Sequence, residues 1–138
     1  MINSQRFTGE QCSVGLKVAL RIIGAWRATP GQACRILRIS PSTFRRAARG
    51  IACGSRLDSD QQQRIGLVLG IHGVLRSAFS NQSNVQGFPG FKNANPFFEG
   101  RTPLEVMAQG DMISLYETYR RIKQFHCGEV MASGHQPQ

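Results

Sequence analysis

The chain has 138 residues, with 17 Lys and Arg against 8 Asp and Glu, a formal net charge of +9. That length holds one ordinary domain or two small ones sharing a core. The longest apolar stretch, Ile65 to Val74, is interrupted by Gly66, Gly70, His72 and Gly73. The opening MINSQRFTGEQC has no apolar core. Neither a membrane span nor a secretory leader is therefore expected, and the chain reads as cytoplasmic.

Residues 1–12 are polar and read as a flexible N-terminus. Leu16, Ala19, Leu20, Ile23 and Trp26 recur at helical spacing and predict a first helix from Ser13 or Val14 to Trp26. The next stretch, Pro30 to Gly50, reads as two short helices around a tight turn. Thr29 and Ser40 are caps, Pro30 and Pro41 suit first helical positions, and Gly50 suits the residue past the end. In the second of these helices Phe44, Ala47 and Ala48 lie on one side, which leaves Ser42, Thr43, Arg45, Arg46 and Arg49 for the other. Arginine forks onto guanine edges or phosphates, and hydroxyls serve either, so this second face has the chemistry of a DNA reader.

IACGSR follows as a loop. A long central helix is predicted from Asp58 or Ser59 to Phe79, closing a front unit of residues 13–79. It is apolar on two faces, and Gly66, Gly70 and Gly73 fall roughly on one line that would permit a close helix approach. His72 on this helix reads as a core or interface residue. Residues 80–94, rich in Ser, Asn, Gly and Pro, read as a connection whose Phe88 and Phe91 dock onto something. A rear helical unit spans 95–126. Thr102-Pro-Leu-Glu105 forms a capping box, and Asp111 caps a last helix from Met112 to about Phe125 with Arg120, Arg121 and Lys123 near its end. Residues 127–138 read as a tail.

The charge is lopsided. From Met1 to Arg56 ten basic residues accompany a single acid, Glu10, whereas seven basic and seven acidic residues balance from Leu57 onward. An anionic partner for the front is the natural expectation. The four cysteines, Cys12, Cys34, Cys53 and Cys127, offer no metal-ligand spacing, so no metal site is expected. His126 and Cys127 are neighbours that would point apart on a helix, with no third group to orient them. Gly87 and Gly90 lack the Lys-Ser/Thr of a phosphate loop. No catalytic residue and no cofactor is expected.

Two stretches carry a family resemblance. Ala33-Cys34, Leu37, Ile39-Ser40, Ser42-Thr43-Phe44 and Arg49-Gly50 resemble the helix-turn-helix of the Xre (lambda-repressor-like) regulators. Arg38 falls where that family usually has the turn glycine, and Ala47-Ala48 replace a commoner aromatic–acid pair. Asn95-Pro96, Phe98, Gly100, Pro103-Leu104 and Gly110 resemble the C-terminal toxin-binding domain of the Xre/MbcA/ParS antitoxins. The resemblance implies an all-α fold: an Xre-like helix-turn-helix bundle joined by a long central helix to a small C-terminal helical toxin-binding domain. It further implies an antitoxin that blocks the active site of a RES-domain, NAD-consuming toxin, dimerises, and binds operator DNA to repress its own operon. Toxin contacts are expected at Phe88, Phe91, Phe97, Phe98, Met107, Met112, Tyr116 and Arg120, because aromatics and Met are enriched at interfaces. The alternative is a stand-alone helix-turn-helix regulator whose rear unit only dimerises.

Overall fold

Local signals place the helix starts. In the computed structural model, which describes residues 9–51, 57–92 and 95–131, α1 spans Gly9–Ala25, α2 Pro30–Leu37, α3 Pro41–Ala48, α4 Ser59–Ala78, α5 Gln82–Gly87, α6 Pro103–Met107 and α7 Met112–Met131. Single 3-10 turns cover Phe88–Gly90 and Pro96–Phe98. The described residues form helices and turns and contain no strand.

Reciprocal capping boxes start three helices. Thr29 pairs with Gln32 at α2, Asp58 with Gln61 at α4, and Thr102 with Glu105 at α6. Each satisfies an amide that the first turn leaves without a partner. At α3 the Ser40 hydroxyl accepts from the Thr43 amide at 3.0 Å.

The central helix α4 packs most extensively on α7 and next on α1. Ile65, Val68, Ile71 and Leu75 are buried along it. One continuous core joins Cys12, Leu16, Ile23 and Trp26 of the front to Leu104, Met107, Leu115 and Ile122 of the rear. Front and rear stretches therefore share an interior. Of the three glycines on α4, Gly70 alone meets another helix: a Cβ there would lie 3.1 Å from the Tyr119 ring, while Gly66 and Gly73 face open space.

Three expectations change. The first helix starts at Gly9, because Cys12 continues the Leu16 stripe one turn earlier and is fully buried. The stretch 80–94 is not a plain connection. Asn81 caps α5, and Val85 drops into the core. The last helix runs through the start of the expected tail to Met131. Residues 1–8, 52–56, 93–94 and 132–138, which include parts of the expected N-terminus, loop, connection and tail, lie outside the described residues.

Candidate nucleic-acid and partner surfaces

The turn between α2 and α3 is made by Arg38, whose backbone is left-handed (φ 57°, ψ 48°). A side chain in that region is sterically unfavourable, which is why glycine is the usual solution. Here the surroundings hold it. The Arg38 guanidinium donates to Asp58 at 2.6 Å and to Asp60 at 2.5 Å, and the Gln61 amide group donates to the Arg38 carbonyl.

This turn launches α3 with one packed and one solvent-facing side. Ala47 is buried and Phe44 is packed against the core. Ser42, Arg45, Arg46 and Arg49 are exposed, and the helix contains no acidic residue. Of the expected DNA-facing residues, Thr43 is drawn inward. It is half-buried, and its hydroxyl accepts from Ser40 at 3.0 Å. Ala48, expected on the packed side, is exposed because α3 ends there and the chain turns away at Gly50 (φ 79°). Cys34, on α2, is half-buried and packs against the core. Burial pushes its thiol up, and the Arg35 and Arg45 charges oppose that shift.

Two of the exposed front arginines have partners within the fold. Arg38 is held by two carboxylates, and the Arg35 Nε donates to the Ala108 carbonyl at 2.8 Å. Of the five residues expected to face DNA, Ser42, Arg45, Arg46 and Arg49 stay exposed.

The rear aromatics divide by burial. Phe98 is 1% exposed and Met107 is 0% exposed. Both fill the interior, so the expected partner contact at these two residues is corrected to a packing role. Phe88 stacks at a tilt on Phe79, with centroids 5.9 Å apart. Phe97 packs edge-on to Phe98 at 5.0 Å and lies under the Arg121 guanidinium at 5.1 Å. Arg120 pairs with Glu117 of its own helix at 3.1 Å.

Two places in the rear half expose large apolar side chains. On the first turns of α7, Ile113 is 73% and Tyr116 47% exposed, with Met112 half-buried beside them. Ile113 was not singled out from sequence, although its i, i+3 spacing to Tyr116 is visible there. Elsewhere Phe91, 61% exposed, stands at the rim of an open cleft of about 630 Å³ lined also by Trp26, Arg27, Gln86, Thr102 and Glu105. Among the described residues no three His, Cys, Asp or Glu side chains are grouped to hold a metal, and no helix is long and apolar enough to cross a membrane.

Residue Arg64 escaped the sequence reading. It is 4% exposed and buried on α4, with its Nε on Asp60 at 2.9 Å and its Nη1 on the Gly110 carbonyl at 2.8 Å. The Asp60–Arg64 spacing of i, i+4 was the only local signal for it.

Comparison with known proteins agrees with this geometry. Residues 13–70 match the antitoxin Xre-like helix-turn-helix domain. That stretch covers most of α1, all of α2 and α3, and the first half of α4. The chain is also 28% identical over 112 residues, 80% of its own length and 79% of the relative's, to the uncharacterized protein y4oB of Sinorhizobium fredii (strain NBRC 101917 / NGR234). No solved structure matches. A front half of this kind supports an antitoxin or a DNA-binding regulator.

Proposed function

We propose that the chain is the antitoxin of a toxin–antitoxin module: it reads operator DNA with α3 and covers the active site of a RES-domain, NAD-consuming toxin with its rear half. The observation that carries this reading is the exposed Ser42–Arg45–Arg46–Arg49 face of α3 within a stretch matched to the antitoxin-type helix-turn-helix. Arginine on an exposed recognition helix supplies both phosphate attraction and bidentate base contacts. The toxin surface in this reading is Met112, Ile113 and Tyr116 on α7, with Phe91, Phe88, Phe97 and Arg120 as further contacts. Phe98 and Met107 support it from inside. An exposed Ile–Tyr patch has the apolar and aromatic character of a binding core. The protein acts in the cytoplasm as a homodimer, without cofactor or catalysis of its own.

Coexpression with the adjacent reading frame tests the proposal. A copurifying complex and rescue of growth from the neighbour's toxicity are expected. Intact operator binding with no copurifying partner and no rescue would replace this reading with the stand-alone regulator.

A further inference from the structure

Arg64 joins three segments that lie far apart along the chain. Its Nη1 donates to the Ile36 carbonyl at 3.2 Å and the Arg35 carbonyl at 3.4 Å, in the last turn of α2, and to the Gly110 carbonyl at 2.8 Å, between α6 and α7. Carbonyls at a helix end have no intrahelical partner, so a buried guanidinium is a natural donor to them. On its other edge Arg64 holds Asp60, and the same Asp60 oxygen also receives Arg38, the left-handed turn residue that launches α3. A second arginine repeats the tie: the Arg35 Nε donates to the Ala108 carbonyl at 2.8 Å. A buried cation is tolerated only while its acceptors stay in place. Displacing Gly110 therefore disturbs the support of the turn.

We infer that Arg64 and Arg35 are positioning residues that make the α6–α7 corner a support for the reading helix, along the path Gly110 to Arg64 to Asp60 to Arg38. The corner adjoins the surface proposed for the partner. Asp111 follows Gly110 and accepts from the Ser114 amide at 2.8 Å, and Met112, Ile113 and Tyr116 lie on the turns that follow. The inference rests on α3 being the DNA reader.

The test uses the full chain and two labelled duplexes, one from just upstream of its own coding sequence and one unrelated, titrated over a salt series. Gly110 has φ 98°, and a Cβ there meets only Arg35 atoms at 3.7 Å, so Gly110→Ala strains the backbone without a clash. It removes no charge from the DNA-facing side. Gly110→Ala is expected to weaken binding of the upstream duplex about 2- to 30-fold. The salt slope stays that of wild type, because no phosphate contact is lost. In an Arg64→Lys background the same change has a smaller effect. Arg35→Lys, which keeps its charge but loses the Nε donation to Ala108, gives a second variant on an exposed site and is expected to weaken binding with the same unchanged slope. Wild-type affinity in both Gly110→Ala and Arg35→Lys, or an equal Gly110→Ala loss in both backgrounds, overturns the inference alone. Wild-type protein that binds neither duplex overturns the DNA-reading assignment and the inference with it.

Discussion

The guanidinium of Arg38, in the turn that separates α2 from α3, lies 2.6 Å from the carboxylate of Asp58 at the start of α4. The pair links Arg38, the left-handed residue of the α2–α3 turn, to the cap of the central helix, and it explains how an arginine stands at a glycine position. The two roles of Arg38 are separable. Arg38→Gly removes the backbone strain and the ion pairs together, whereas Arg38→Ala removes the pairs and keeps the strain. Thermal melts are expected to rank Arg38→Gly near wild type and Arg38→Ala below both. An alanine variant as stable as the glycine variant would contradict this account of the turn.

The glycines of α4 make opposite predictions. Gly66 and Gly73 face open space in mid-helix, so Gly66→Ala and Gly73→Ala should each stabilise the protein by about 0.5–1 kcal/mol. Gly70→Ala must move the Tyr119 ring, which a Cβ would approach to 3.1 Å, and should bring no gain. Chemical denaturation of the three variants measures the order.

Burial sorts the rear side chains into two classes of phenotype. Phe98→Ala should cost about 3–5 kcal/mol and Met107→Ala about 2–5 kcal/mol, through the cavities they leave. Ile113→Ser, at a site 73% exposed, should stay within about 0.5 kcal/mol of wild type and yet weaken capture of the protein partner. Denaturation curves beside copurification separate loss of fold from loss of surface. A strongly destabilised Ile113→Ser would place that side chain in packing rather than at an interface.

Acid should loosen the central and last helices. The Asp58 carboxyl is held below its ordinary 3.8, first by the Gln61 amide and then by Arg38. Asp111 is held below the same value, first by the Ser114 amide. In the unfolded chain both return to the ordinary value. Between that value and the lower folded one the unfolded state therefore binds more protons, and stability falls as pH falls through the window. Melting temperature followed from neutral pH to below 3.8 should drop. Asp58→Asn, which keeps an accepting oxygen, should drop less steeply over the acid limb, and an equally steep fall would contradict the assignment.

What could be read in the sequence was local. Thr29-Pro30 and Ser40-Pro41 mark their helices because capping involves residues three apart, and the all-helical class follows from such marks together with the apolar spacing along α1 and α4. The arginine face of α3 was visible for the same reason, except at Thr43, whose hydroxyl serves the cap. The role of Arg64 was not visible, since its acceptors are backbone carbonyls from α2 and Gly110, and carbonyls carry no sequence signature. Nor could composition separate Phe98 and Met107 from Ile113. Which apolar side chain is sealed depends on how the rear helices settle against the rest of the chain, a tertiary choice. The six-residue helix α5 is too short to display a period.

The central claim is that the exposed arginines of α3 grip DNA. Its most direct test is a salt-resolved titration of the duplex upstream of the coding sequence with wild-type protein and with Arg45→Ala, Arg46→Ala and Arg49→Ala. An arginine on a base edge should lose about 1–3 kcal/mol of affinity on that duplex alone, and one on a phosphate should weaken all duplexes and lower the salt slope by about 1. Three variants that bind every duplex as wild type does, at every salt concentration, would contradict it.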